Sequence, residues 1–219
     1  MSGRGMDKVV GTVEEAVADV GNGVTILVGG FGGAGFPFAL RDALIRRRLL
    51  DLTIIGNNAD FGGFVYEGGL KRIVCTYPVG DTARPVVDAI EAGRVQLVLT
   101  PQGTLAEQIR AGGAGLGGVL TPTGVGTVFE DGYASVELDG RRYLLAPAIR
   151  GDVAIVRAHV ADRYGNLFFR HASRNFNPLV AMAATLTIAE VTRIVEPGEI
   201  DPHHVHVPSV FVDRVVATG

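Results

Sequence analysis

Residues 22–37 read Asn-Gly-Val-Thr-Ile-Leu-Val-Gly-Gly-Phe-Gly-Gly-Ala-Gly-Phe-Pro, an apolar run that breaks into glycines and then meets a proline. Gly29, Gly30, Gly32 and Gly33, with Gly35 just beyond, leave the backbone nearly bare, so a ligand can approach its N–H groups closely. Such a turn suits a negatively charged group. Gly30, Gly32 and Gly35 also satisfy G-x-G-x-x-G, which keeps a dinucleotide-binding oxidoreductase open. A ribose-binding acid is missing, however, because the second apolar run ends in Gly56-Asn57-Asn58 and Asp51 precedes it. Asn57 and Asn58 instead bring side-chain amides, able to donate to a developing oxyanion or to cap a turn. Gln102 opens a helix after the fourth apolar run, with amide and backbone donors suited to a carboxylate.

Other reactive side chains form weaker patterns. His203, His204 and His206 cluster, and His204 and His206 alternate along an expected strand edge, but no cysteine or carboxylate completes a metal set. Their expected role is surface or interface packing, with no metal. Arg46-Arg47-Arg48 suits a solvated helix end better than a phosphate site. Cys75, the single cysteine, reads as a small buried hydrophobe.

The elements that must position these groups alternate. Thr12 and Glu15 form a capping-box signature, and Val13, Ala16, Val17 and Val20 predict a helix over 12–20. Strands are expected at 24–28, 52–56, 71–76 and 95–99. Helices are expected from Pro37 onward, near 64–70, and over 84–92 and 103–111. Beyond residue 115, two β runs at 133–138 and 141–145 meet at Asp139-Gly140, a strong hairpin signal. Strands at 151–160 and 167–170 flank a turn, Asn177-Pro178 opens a helix through about 184, and strands follow at 185–195 and 210–216. The predicted fold is α/β: a mostly parallel sheet covered by helices on both faces, with an antiparallel hairpin excursion.

Composition narrows the function. At 219 residues the chain fits a single domain spanning 1–219, and no apolar stretch approaches the ~18 residues needed to span a bilayer. The amino-terminal Met-Ser-Gly-Arg-Gly-Met-Asp-Lys lacks a signal peptide's apolar core, and one buried-type cysteine suits a reducing cytoplasm. A formal net charge of −3 argues against a nucleic-acid surface, so a small ligand is expected.

Asn22, Gly23, Gly29, Gly30, Phe31, Gly35 and Pro37 match every fixed position of a segment that resembles the signature of the α-subunit half of 3-oxoacid CoA-transferases. Residues 56–59, 101–107, 109–115, 121–127 and 174–178 resemble further stretches of that family in the same order. The resemblance covers nearly the whole chain. It implies a CoA-transferase-like fold, coenzyme A as substrate rather than a permanently bound cofactor, and a ping-pong reaction through a glutamyl-CoA thioester. The family's nucleophilic glutamate lies in a Ser-Glu-Asn-Gly type motif on the β subunit, and this chain has no such motif. A β-subunit partner is therefore implied, in a heterodimer or an α2β2 heterotetramer, with no membrane and no nucleic acid.

The resemblance also assigns roles. It places an oxyanion donor within Asn57-Asn58 and Gln102 near the acyl group. It lays the loop Gly29, Gly30, Phe31, Gly32, Gly33, Gly35 against the thioester, and makes Gly112, Gly113 and Gly115 a second bare surface. One departure stands out: the family continues Ala-Gly where this chain has Ala59-Asp60. A pocket-facing Asp60 would repel an anionic acid. The implied function is succinyl-CoA:3-oxoacid CoA transfer, with the 3-oxoadipate enzymes resembled slightly more than the acetoacetate ones. A non-catalytic acyl-CoA-binding protein remains the alternative beside the oxidoreductase.

Overall fold

A seven-strand parallel path organises the molecule in a computed structural model that describes residues 6–219; residues 1–5 of the amino-terminal segment considered above lie outside the described residues. In chain order the elements are α1 (Val13–Ala16), β1 (Thr25–Val28), α2 (Phe38–Arg46), β2 (Leu52–Gly56), β3 (Leu70–Cys75), α3 (Arg84–Glu91), β4 (Gln96–Leu99) and α4 (Gln102–Gly113). There follow β5 (Gly118–Thr121), β6 (Ala134–Leu138), β7 (Arg141–Pro147), β8 (Gly151–Asp162), β9 (Leu167–Phe168), α5 (Asn177–Met182), β10 (Ala184–Val195) and β11 (Arg214–Ala217). The main sheet runs β11-β10-β8-β1-β2-β3-β4, all parallel, with β9 antiparallel against the far end of β8. Its order reverses between β1 and β8, which places a ligand crevice at the carboxyl end of β1.

Alternation along each strand sends side chains to two cores. Ile26, Val28, Ile54 and Ile73 pack under α1–α3 with Leu40, Leu44 and Val86, while Leu27, Ile55 and Val74 pack under α4 and α5 with Leu105, Ile109 and Val180. The small sheet β5-β7-β6 stands apart as the expected antiparallel excursion. Asp139 and Gly140 both take positive φ, 50° and 69°, as a two-residue type I′ hairpin demands. Among the described residues no helix is long and apolar enough to cross a membrane.

Several expected elements differ. The capping bond forms, Glu15 N–H donating to Thr12 Oγ1 at 3.1 Å, yet α1 is one turn rather than 12–20. Arg214 Nη1 donates to Ala16 O at 2.8 Å and Arg47 to Val17 O, so arginines satisfy the carbonyls that a longer helix would have used. The helix expected near 64–70 is a single 3-10 turn, Gly62–Phe64, broken off by Gly68 and Gly69; a Cβ on Gly69 would lie 2.5 Å from Phe64 O. Strand β5 extends the hairpin to three strands. Pro208 and the turn Ser209–Phe211 delay the last strand to residue 214, and the histidines begin in another 3-10 turn, Pro202–His204, rather than along a strand edge.

Candidate active site

Strand β2 ends where its side chains stop meeting core and start meeting one another. Asn57, on the α4 side of the sheet, is only 4% exposed. Its Oδ1 accepts from Gln102 Nε2 at 2.7 Å and from Thr76 Oγ1 at 2.9 Å, and its Nδ2 donates to Asn58 Oδ1 at 2.6 Å. Asn58 Oδ1 also receives the Gly32 N–H at 3.2 Å. Thus the end of β2 gives two polar side chains, and the end of β3, α4 and the glycine loop one group each, to one network at the carboxyl edge. Asn57, Asn58, Gly32 and Gln102 are brought together.

Asn58 is bonded as fully as Asn57, with two bonds accepted at Oδ1 and one donated from Nδ2. Its Nδ2 faces Asp60 Oδ2 at 3.4 Å, and the other carboxylate oxygen of Asp60 accepts from Thr82 Oγ1. Asp60 therefore faces the amide cluster rather than open solvent. Asn57 Nδ2 has given one hydrogen to Asn58, and its second has no partner among the described residues. Asn58 Nδ2 likewise keeps one hydrogen without a partner among the described residues, so each asparagine offers one donor to an incoming oxygen, Asn57 being the more buried of the two.

The glycine run divides in two. Phe31 and Ala34 exchange backbone hydrogen bonds at 3.1 Å across a hairpin turn, with Gly32 at φ +56°. A Cβ on Gly32 or Gly33 would meet nothing within 4 Å. Behind this open tip, a Cβ on Gly29 would fall 1.9 Å from Asn177 Oδ1, and one on Gly35 2.6 Å from Asn177 Nδ2. Asn177 is wholly buried, accepts from Arg157 N–H at 3.0 Å and donates to Gly35 O and Ser173 O at 3.0 and 2.9 Å. A Cβ on Gly30 would lie 2.8 Å from Phe36 Cα. Phe31 stands half exposed at the rim.

Gly112, Gly113 and Gly115 are not part of this constellation. They end α4 while Gln102 begins it, roughly 15 Å apart at 1.5 Å per residue. A Cβ on Gly112 would meet Ile149 O at 1.8 Å and one on Gly113 Met182 Cβ at 2.9 Å, so both glycines admit close packing; Gly115 takes φ +76°, and a Cβ there would meet Arg150 Nη2 at 3.8 Å.

Sequence reasoning missed Thr76, which carries no motif, and the support behind the loop. Glu190 is 0% exposed, accepts from Leu40 N–H at 2.8 Å at the start of α2 and pairs with Arg157 Nη1 at 3.1 Å. Burial pushes its carboxyl pKa up, against the pull of the Leu40 N–H and Arg157. A lone acid inside the apolar run of β10 was the available signal. Burial likewise pushes the Cys75 thiol up to about 11, leaving it an unreactive core residue. Arg46 pairs with Glu14 at 2.6 Å and Arg48 lies over Tyr66 at 3.7 Å, so the arginine run serves the chain's own surface. His206 Nδ1 accepts the Phe169 N–H at 3.0 Å, and among the described residues no three His, Cys, Asp or Glu side chains gather around a metal-sized space.

Residues 10–218 match the family model described as Coenzyme A transferase. The α subunit of the acetate CoA-transferase of Escherichia coli K12 is 42% identical, over 94% of this chain and 96% of its own. The corresponding subunit of the 3-oxoadipate CoA-transferase of Pseudomonas putida is 43% identical, over 98% and 95%. That of the succinyl-CoA:3-ketoacid coenzyme A transferase of Helicobacter pylori J99 is 43% identical, over 96% and 92%. Among solved structures, the acyl-CoA transferase YdiF of Escherichia coli O157:H7, as a thioester complex with CoA, superposes with a TM-score of 0.87 at 23% identity. That match covers 98% of this chain but about half, 48%, of YdiF, and at such identity it shows the fold alone.

Proposed function

The chain belongs to the coenzyme A transferase family, and from that premise we propose that it is the α subunit of a succinyl-CoA:3-oxoacid CoA-transferase, a single domain that gains activity only beside a β subunit. The observation that carries this reading is an amide cluster without a nucleophile. Asn57, Asn58, Gly32 and Gln102 converge at the sheet edge, and the carboxylate beside them, Asp60, is held by Asn58 and Thr82.

In the proposed reaction a glutamate of the partner attacks the acyl-CoA carbonyl, and the oxyanion forms against the free Asn57 hydrogen and the Gln102 amide. Collapse expels the CoA thiolate and leaves an acyl-glutamyl anhydride. The thiolate then attacks the glutamyl carbonyl, which releases the donor acid and forms the glutamyl thioester; the acceptor carboxylate reverses these steps. Donors fixed before the charge appears lower each barrier, since they need little reorganisation. The open Gly32–Gly33 tip leaves room for the partner's glutamate. The names of two of these relatives support a 3-oxo acid acceptor, and the slight preference for 3-oxoadipate rests on the resemblance of the Gly56-Asn57-Asn58 and Gly117-Gly118 stretches.

The test is co-expression with the β subunit. The complex is expected to exchange CoA between succinate and a 3-oxo acid, and borohydride with acyl-CoA is expected to inactivate the β subunit. Thioester exchange by the isolated α subunit through its own carboxylate would overturn the proposal. Binding of NAD by that isolated subunit would restore the oxidoreductase.

A further inference from the structure

Every histidine of the chain falls around the carboxyl end of β8. His159 lies on β8 itself and His171 opens the 3-10 turn after β9, while His203, His204 and His206 precede Val207, which bridges back to Leu167 of β9. Phe168 is their hub: its ring centroid lies 5.1 Å from that of His206, 6.0 Å from His204 and 6.4 Å from His159. Arginines join them. Burial, with Arg170 and Arg193, holds His159 below the ordinary imidazole pKa, and burial with Arg174 does the same to His206. All three arginines are exposed, and none has an ion-pair partner among the described residues. The acids nearby are engaged elsewhere. Asp162 accepts from the Tyr164 and Asn166 N–H groups at 3.0 and 2.9 Å, Glu190 pairs with Arg157, and Asp201 accepts the His203 N–H at 2.9 Å. Glu199 accepts the Glu196 N–H at 2.6 Å, and Glu196 acts on Arg163. A chain of net charge −3 thus gathers, on one face, cations that it does not neutralise itself.

This face adjoins the catalytic rim. The turn His171–Arg174 runs into Asn175, whose Nδ2 donates to Ala34 O at 3.0 Å in the glycine hairpin. Val210, 78% exposed, stands on the turn whose Ser209 N–H is held by Asn166 Oδ1 at 2.9 Å, and adds an apolar contact beside β9. We propose that the face docks an acidic surface of the β subunit, whose carboxylates sit on Arg170, Arg174 and Arg193 and among the imidazoles around Phe168. Arginine and aromatic side chains dominate protein interfaces, and opposite charge orients the approach. That orientation brings the partner's glutamate to the open Gly32–Gly33 tip. His206 stays a neutral donor, because its Nδ1 already accepts the Phe169 N–H at 3.0 Å. His159 has no such bond, so a carboxylate seated beside it favours its protonated form and association takes up a proton. Its pKa is then higher in the complex than in the free chain. The added affinity develops as pH falls through the bound value and is complete below the free one.

This inference rests on the two-subunit reading, and sedimentation of the co-expressed complex over a dilution series tests it independently of activity. Arg170 and Arg193 are exposed, so the double variant Arg170→Glu, Arg193→Glu is expected to fold. Its subunit dissociation constant should rise about a hundredfold, roughly tenfold per reversed charge. The same pair changed to Gln should shift it in the same direction by less. Salt raised from about 0.05 to 0.5 M should loosen the wild-type complex more than the double variant. From about pH 8 to 6 wild-type association should tighten, by at most about tenfold per pH unit for one proton, and His159→Gln should remove that gain. Arg94→Glu, an equally exposed reversal just before β4 at the opposite edge of the sheet, should leave association unchanged. An equal loss in Arg94→Glu reduces the effect to net charge and overturns the docking face. Unchanged association in the double variant overturns it too, as does a double variant that assembles fully but binds CoA more weakly, which makes the face a ligand site. A pH gain that survives His159→Gln overturns the part given to that histidine. A complex that loosens as expected in the double variant, yet as wild type transfers CoA to no acid, removes the proposed function and leaves the docking face standing.

Discussion

Two buried asparagines stand on either side of the glycine run and do opposite things with the same amide. Every partner of Asn177 is backbone: Arg157 N–H, Gly35 O and Ser173 O. Every side-chain bond of Asn57 is with another side chain: Gln102 and Thr76 donate to it, and it donates to Asn58. Backbone groups are fixed by the strands and helices that own them, so Asn177 locks the loop's rear in one shape. Side-chain partners can rotate, so Asn57 holds a geometry that a substrate oxygen can enter. Glycines at the rear admit the locking amide, whereas those at the tip leave the surface open. A bare backbone motif therefore serves packing and chemistry at once, divided by position.

Removing the lock should cost most. Asn177→Ala strands three backbone groups in a dry site, and a loss on the order of 3–4 kcal/mol is expected in urea unfolding. Gly29→Ala alone forces its methyl onto Asn177 Oδ1, so the double variant should lose clearly less than the sum of the two. Additive losses would mean that the loop is held by something else. Asn57→Ala should behave in reverse, with a kcat lower by about 10²–10³ in the two-subunit enzyme and a much smaller change in unfolding. Because Asn58 Oδ1 holds both the Gly32 N–H and Asn57 Nδ2, Asn58→Ala should also slow transfer, in part by disordering Gly32 and Asn57. A wild-type kcat in Asn57→Ala would remove the donor assignment and leave the family membership intact.

How far the sequence carried this distinction depends on where each residue's partners lie. Asn57 and Asn58 were legible because a strand ends at them, and strand ends are where open α/β sheets bind ligands. Asn177 was legible only as the start of a helix, since its contact with Gly35 closes a separation of 142 residues that no local pattern encodes. The same holds for Glu190 and Leu40, 150 residues apart. Alternating strands and helices gave the parallel sheet, and Asp139-Gly140 gave the hairpin. Strand β5 was hidden because only four residues, Gly118–Thr121, lie between Gly117 and Pro122, too few to show an alternating pattern. The long first helix failed because apolar spacing fixes which side chains are buried, and Val17 and Val20 reach the core from turns just as well.

Glu190 extends the locked region into pH dependence. Its folded carboxyl pKa lies above the unfolded value because burial disfavours the charge, so the unfolded chain releases this proton first. The stabilisation tied to its protonated form is complete below the ordinary glutamate range, about pH 4.3, and is lost as pH rises through the higher folded value. Glu190→Gln should flatten that part of the stability profile, measured by thermal unfolding from pH 4 to 8. An unchanged slope would mean that the Leu40 N–H and Arg157 already offset the burial.

The smallest effect on stability should come from the open tip. Gly33 has no neighbour within 4 Å of an added Cβ and does not take a left-handed φ, so Gly33→Ala meets neither steric nor backbone cost. Its unfolding free energy should stay within about 0.5 kcal/mol of wild type, any change being a slight gain from the stiffer unfolded chain. In the assembled enzyme the same methyl occupies the space assigned to the partner's glutamate, beside the Gly32 N–H bonded to Asn58. Transfer should therefore slow in a variant whose melting curve overlays wild type. Gly29→Ala, a few residues away, should show the converse: a large loss of stability from the same added carbon. If Gly33→Ala also keeps full activity, the tip is merely exposed, and the partner's carboxylate must approach Asn57 from another side.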